Sequence, residues 1–443
     1  MTRKIFGSSL AALVAVLELS KSEEVTWIQT GPRVAGHFMG IQIQETNVDL
    51  GMVALETHNG GSDQRTFTEV LPIRQSGIPF VHLGFEWLKA CGEEFQEIPV
   101  SISIFGKNLP DFLIADDLSF IRVLDLETQQ AILSQIQNIL DGAGLETLHP
   151  KNKNLNEAFI DLSLRDVLIA NVGVQFYESV IQPWFRKFSS SLPDFLPARD
   201  HRTAWVPMFY PETIKNALIE VGPVDHLSRA FVVPKNSSVA ALVSRLADKV
   251  DQSRVTLQTL DHFTGPPSSG DMILTNTSEV MKLFSQEYEG TYSSQFEISI
   301  TVLVLLYNEI VSQDFILNVV DDTDEAYRIC SRNISSEGNK SVVTLEFGEG
   351  FENASDEEVM AIGHPLLVEL GIPPTYSSYK LKRVKLKVPY GLSREKVELD
   401  RHCAHQLMIA NKIFGFPIDF GSSAFNDQVL LGLWSANAAR SSK

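Results

Sequence analysis

The chain has 443 residues, 44% of them hydrophobic and 21% charged, an ordinary globular composition with room for two or three domains. A net charge of −18 argues against nucleic acid or anionic lipid as a main partner, but it leaves open an anionic small ligand held by local arginines or helix N-termini. Cys91, Cys330 and Cys403 are few, odd in number and far apart, which disfavours a disulfide framework or a thiolate zinc site and fits a reducing cytoplasm.

Arg3 to Phe6 reads as a short strand, Leu10 to Leu19 as a helix rich in Ala, Leu and Val, and Val25 to Gln29 as a second strand. Strand, tight turn, helix and strand in that order form a βαβ unit with parallel strands. Thr2-Arg3-Lys4 before the apolar stretch Ile5 to Leu17 also has the outline of a secretory signal. Glu18 interrupts that stretch and no A-x-A cleavage site follows, which favours the βαβ reading. A strand or hairpin is expected around Gly40 to Glu45, a strand at Pro99 to Phe105 and a helix at Thr128 to Leu140.

Asp166 to Phe188 reads as a long helical stretch, broken or kinked near Pro183, and Pro193 to Pro211 as an irregular connection. A second α/β pattern then appears: a strand at Ala230 to Val233, an amphipathic helix at Ser238 to Val250, and strands at Val255 to Gln258 and Met272 to Thr275. Gln295 to Phe347 is mostly β. Its apolar stretch Ile298 to Tyr307 is too short to span a bilayer and suits a buried strand. Ser377 to Val388 alternates basic and apolar residues, so Lys380, Lys382, Arg383, Lys385 and Lys387 read as the solvated face of one strand. Phe414 to Ala439 reads as a loop and then a helix.

In the dinucleotide pattern G-x-G-x-x-G, one glycine allows the tight turn, one admits the pyrophosphate, and one lets helix pack on strand. Here those places hold Gly7, Ser9 and Ala12, and Gln29 stands where an acid normally holds the ribose. The continuation Gly31-Pro32-Arg33-Val34-Ala35-Gly36-His37-Phe38, then Val48-Asp49-Leu50-Gly51, resembles the flavoprotein pattern E-x-G-x-R-x-G-G followed by D-x-G. The chain resembles FAD-dependent oxidoreductases of the amine oxidase and protoporphyrinogen oxidase superfamily, including its UDP-galactopyranose mutase-like branch. Weaker likenesses continue it at Ser163 to Asp166, Phe231 to Val250, Asp321 to Asn333 and Gly421 to Asn437.

The resemblance implies an α/β fold, a Rossmann-type FAD-binding domain interleaved with a mixed α+β substrate domain. The expected division is 1–65, 222–290 and 405–443 for the first and 66–221 and 291–404 for the second. It implies FAD contacts at Gly7, Ser9, Leu10, Ala12, Gln29, Arg33, Gly36, His37, Gly51, Ser423, Asn426 and Asp427. Substrate contacts are expected from Arg328, Tyr327 and Tyr210.

Several of these residues carry a second reading. Arg328 could grip a phosphate or carboxylate bidentately, or form a surface salt bridge to Asp321, Asp322, Asp324 or Glu325. Tyr210 could line a cavity or pack in its proline-flanked loop, and His37 could tune a flavin or simply sit on its loop. His402 and His405 could share a helical face, but no third ligand is visible, so no metal is expected. The implied activity is that of an FAD-dependent oxidoreductase acting on a small molecule. The alternatives are a non-redox nucleotide-sugar mutase and a catalytically silent relative. The expected setting is cytoplasmic, with no integral membrane segment, no nucleic acid, and homo-oligomer formation left open.

Overall fold

The computed structural model describes residues 2–51, 54–57, 82–104, 106–110, 119–142, 162–198, 211–219, 230–263, 265–285, 288, 295–321, 324–335, 338–389, 392–418 and 425–442. Strands β1 (Arg3–Phe6) and β2 (Val25–Gln29) flank the helix Leu10–Ser20. The hairpin β3 (Ile41–Ile43) and β4 (Thr46–Val48) follows, then β5 (Leu55–Thr57), the helix His82–Ala90, and β6 (Phe95–Glu97), β7 (Val100–Ile104) and β8 (Lys107–Pro110). After a helical middle come β9 (Ala230–Pro234), the helix Val239–Asp248, β10 (Val255–Thr259) and β11 (Met272–Ile273). The strands β12 (Gln295–Tyr307), β13 (Phe315–Val319), β14 (Ala326–Ile334), β15 (Lys340–Phe347), β16 (Ser378–Pro389) and β17 (Phe414–Gly415) precede the helix Phe425–Ser441.

Five strands form a wholly parallel sheet in the order β10-β2-β1-β11-β17. In chain order this is third, second, first, fourth, fifth, the order of a doubly wound α/β sheet, with its switch point between β1 and β11. The helix Leu10–Ser20 lies against this sheet, and every residue in it except Glu18 is buried. It is apolar all round because the helix Phe425–Ser441 covers its outer side. Gly432 makes that approach close: a Cβ there would lie 2.5 Å from Ala11 O and 2.7 Å from Val14 Cβ.

A second sheet of seven strands runs β16-β12-β15-β14-β13-β7-β8, antiparallel except where β13 meets β7. Leu303, Leu305 and Leu345 on one face pack against Val359, Leu366 and Leu367 of the helix Asp356–Glu369. Part of the other face packs on Phe176, Trp184 and Phe185 from the helical middle. A smaller three-stranded sheet, β5-β9-β6, completes the described sheets beside the hairpin. Among the described residues, no helix is long and apolar enough to cross a membrane.

One sequence expectation is extended and one corrected. The stretch expected to break or kink near Pro183 runs as Leu164–Phe176, a π turn at Tyr177–Ile181 that ends just before Pro183, and Gln182–Phe188. A further break, not expected, is at Gly173, with φ 82 and ψ 158, where a Cβ would lie 2.3 Å from Gln135 Oε1. The basic residues of β16 are not on one face. Lys380 and Lys382 stand on one side and Arg383, Lys385 and Lys387 on the other, since the adjacent pair 382–383 shifts the alternation. Lys380 Nζ donates to Gln42 O at 3.1 Å, and Lys385 pairs with Glu297 at 2.6 Å.

Candidate functional site

The turn after β1 is built around Gly7. Its N–H donates to Ile28 O at 3.0 Å, and a Cβ there would fall 2.2 Å from Leu274 O at the end of β11, with φ at 144. Ser9 caps the following helix: its Oγ accepts from Ala12 N at 3.1 Å and donates to Leu274 O at 2.7 Å. The hydroxyl that occupies the second glycine's place is thus bonded to the helix's own first turn and to the neighbouring strand. Ala12 is fully buried beneath the turn. Leu10 N, one of the amides that a helix N-terminus offers to an anion, donates to Gln428 Oε1 at 3.0 Å.

The loop after β2 rests on the same turn. Ser8 Oγ accepts from Gly31 N at 2.9 Å and donates to Gly31 O at 3.1 Å, while Ala35 N donates to Ser8 O at 2.6 Å. Gln29 ends β2 half-buried, and Arg33, Gly36 and His37 are exposed along the loop. His37 is open to solvent yet crowded by protein. Its ring lies 4.0 Å from that of Phe38, and desolvation holds its pKa below the usual histidine value. Phe38 meets Phe425 edge to face at 5.2 Å, which brings the loop to the first turn of the last helix, where Asn426 and Asp427 lie. Ser423 and Tyr210 lie outside the described residues.

From this loop, contacts lead toward the seven-stranded sheet. Asp49 follows β4 and caps the helix Val239–Asp248, accepting from Val239 N at 3.0 Å and Ala240 N at 2.8 Å. Burial pushes its pKa up, opposed by the charge of Arg332 and by those two amides. A cleft opens beside it, lined by Asp49, Gly51, Ser238, Cys330, Arg332 and Thr344 among others. A Cβ at Gly51 would lie 3.0 Å from Glu346 Oε1, so the D-x-G turn abuts the carboxylate of β15.

That carboxylate belongs to a buried polar cluster. Tyr327 Oη donates to Glu346 Oε2 at 2.6 Å, Arg328 Nη1 donates to the same oxygen at 3.3 Å, and Arg328 Nε donates to Asn318 Oδ1 at 2.8 Å. The Arg328 guanidinium also lies 5.5 Å from the Trp184 ring centroid. Arg328 is 4% exposed and forms a buried pair with Glu346, so it does not sit on the surface; Asp322 of the acidic turn lies outside the described residues. Desolvation, the neighbouring Glu346 and the hydrogen bond to it push Tyr327 well above the usual phenol range.

The structure therefore gathers Gly7, Ser9, Leu10 and Ala12 around one helix N-terminus, ties the loop that carries Arg33, Gly36 and His37 to that turn through Ser8, and joins Gly51 to Tyr327 and Arg328 through Glu346. Sequence reasoning missed Gln428, Asp49 as a cap, Gly432 and Glu346. The one signal in the sequence was the spacing of Gln428 and Gly432, which puts both on one face of the last helix. Elsewhere, His402 is exposed and His405 stacks on Phe416 with ring centroids 5.3 Å apart.

Reduced UDP-galactopyranose mutase has a similar fold, with a TM-score of 0.58 at 11% identity over 99% of this chain and 93% of its own. An Exiguobacterium protein assigned as a protoporphyrinogen oxidase gives 0.55 at 13% identity, over 99% of this chain and 98% of its own. A double mutant of putrescine oxidase with redesigned cofactor binding gives 0.54 at 11% identity over 99% of both chains. No protein-family model matches the sequence, and no curated protein matches it either. At such identities the likeness establishes the fold, which is the one the N-terminal resemblance implies.

Proposed function

We propose that the chain is an FAD-dependent oxidoreductase of the amine oxidase and protoporphyrinogen oxidase kind, acting on a small molecule. The observation that supports this most is the continuous run of contacts from the Gly7 turn, through the Gly31 to His37 loop and the Asp49 cap, to Gly51 and the Glu346 cluster. It places a helix N-terminus at one end and a rigid polar wall at the other, which suits an elongated dinucleotide lying along it. The backbone fits the group: Gly7 sets the turn, Ser9 Oγ is bonded within the protein, and Ala12 packs beneath. Against it stand the Gln428 carboxamide on Leu10 N and the neutral Gln29 at the ribose position.

Bound FAD would supply a hydride acceptor for oxidation of a C–N or C–C bond. The chain's own residues bind and orient. In this reading the helix N-terminus receives the phosphates, and the Ser8–Gly31 and Ala35–Ser8 bonds fix the loop bearing Arg33, Gly36 and His37. The Asp49 cap holds the hairpin against the helix Val239–Asp248, so that Gly51 keeps its place beside Glu346. Tyr327, Arg328 and Glu346 are buried together and act as a positioning wall. The same reading divides the chain at 1–65, 222–290 and 405–443 for the dinucleotide domain and at 66–221 and 291–404 for the substrate domain.

Arg328 is engaged with Glu346 and Asn318, which ranks the redox reading above a nucleotide-sugar mutase that grips an anion there. A silent relative is favoured by Gln428 on Leu10 N and by the neutral Gln29. The visible spectrum of the purified protein decides between enzyme and silent relative. Flavin absorption bands, present at once or after incubation with FAD, are expected. A colourless protein that takes up no FAD would refute the enzyme reading.

A further inference from the structure

We infer that Gln428 is an in-chain occupant of the phosphate seat, whose departure from the Leu10 amide sets how tightly a dinucleotide is held. This rests on the dinucleotide reading above and adds a residue that the pattern around Gly7 does not contain. Leu10 N belongs to the first turn of a helix whose free amides are the natural partners of a phosphate. Gln428 Oε1 already accepts from it at 3.0 Å, and Gln428 is 6% exposed, so this bond is made in the interior.

The position of Gln428 is fixed by packing. It stands one helical turn before Gly432, and residues four apart share a face. Gly432 lies so close to the first helix that a Cβ would reach 2.5 Å from Ala11 O. Further along the same helix, Ala436 and Ala439 are buried, with 1% and 0% exposure. The two helix backbones are thus held together below the seat, and the carboxamide at 428 is delivered to the Leu10 amide. Ser9 Oγ occupies Ala12 N on the same turn, so two of the first-turn amides are bonded within the protein. A phosphate that takes Leu10 N must break the Gln428 bond, and the carboxamide must find water or another partner.

A carboxamide is a neutral acceptor, so the exchange is modest in cost and reversible. Removing it frees the donor, and replacing it with a carboxylate strengthens the in-chain bond and adds repulsion toward a phosphate. The full-length wild type is compared with Gln428→Ala and Gln428→Glu, each checked for folding by circular dichroism. Affinities are measured for ADP, FAD and riboflavin by calorimetry or flavin fluorescence. Gln428→Ala should bind ADP and FAD about three- to tenfold more tightly, and Gln428→Glu about tenfold more weakly. Riboflavin, which has no phosphate, should respond to neither change.

Equal FAD affinity in all three proteins overturns the role of Gln428 and leaves the flavin reading standing. Tighter ADP binding in Gln428→Ala, with no gain from the flavin half of FAD, supports the role of Gln428 and removes the flavin reading. Failure of every variant to bind either nucleotide overturns both.

Discussion

Arg328 sits four residues after Asp324 and three after Glu325 in Asp324-Glu325-Ala326-Tyr327-Arg328, yet it pairs with Glu346. The reason lies in the register of two strands: Arg328 on β14 stands opposite Glu346 on β15. Sequence shows which residues are close along the chain; it does not show which pair across a ladder until the register is known. Breaking a buried pair leaves the other charge buried without compensation, whereas removing both charges is far less harmful. Glu346→Ala is therefore expected to lower unfolding free energy by about 3–5 kcal/mol in urea titrations, and the double change Arg328→Met with Glu346→Met by much less. Equal losses from the single and double variants would mean that the pair is not the source of the effect. Ser9 also has a more specific place in the structure than in the sequence. There it was the side chain in a pyrophosphate's path; its bonds to Ala12 N and Leu274 O make it a helix cap.

Elements were legible wherever their pattern was self-contained. The first βαβ unit, the helix from Ser238 and the long strand ending at Tyr307 follow from periodicity and capping residues alone. The irregularity before Pro183 was legible because Pro is a visible breaker, whereas the break at Gly173 was not, since it depends on Gln135 approaching from another helix. The contact between the first and last helices was hidden for the same reason, although Gly432 marks it. Gly432→Val would drive a branched side chain into Ala11 O and Val14, and should cost about 1–3 kcal/mol through overpacking. A variant with wild-type thermal stability would show that the helices can separate without loss.

At the scale of the whole molecule, two α/β patterns with a helical stretch between them and a β-rich one after them could be read from the sequence. How the pieces are tied together could not. Glu18 is one such tie, the sole residue of the first helix that is not buried. Its carboxylate accepts from Trp87 Nε1 at 2.6 Å, pairs with Lys21, and lies 3.4 Å from Arg440 of the last helix. Burial pushes its pKa up, but the Lys21 and Trp87 hydrogen bonds and the charges of Lys21 and Arg440 outweigh that, and the net position is below 4.5. A carboxylate lowered by folding adds stability that is present above its unfolded pKa and is lost as pH falls through the folded value. Asp49 has the opposite sign: its raised pKa means that its contribution is fully present below 3.8 and is lost as pH rises through the folded value. Glu18→Gln should thus destabilise the protein by about 1–3 kcal/mol near neutrality, with the difference from wild type shrinking below about pH 4. A difference that stays constant through this acid range would rule out the linkage.

The strand order of the parallel sheet also bears on how the protein is made. The first two strands and an almost wholly apolar helix are translated well before their neighbours β10, β11 and β17 and the covering helix Phe425–Ser441. Until residues 414–441 emerge, the nascent chain carries an uncovered hydrophobic helix and a sheet with an open edge. Synthesis therefore includes an interval in which apolar surface and an open strand edge, both prone to aggregation, are not yet covered by the fold itself.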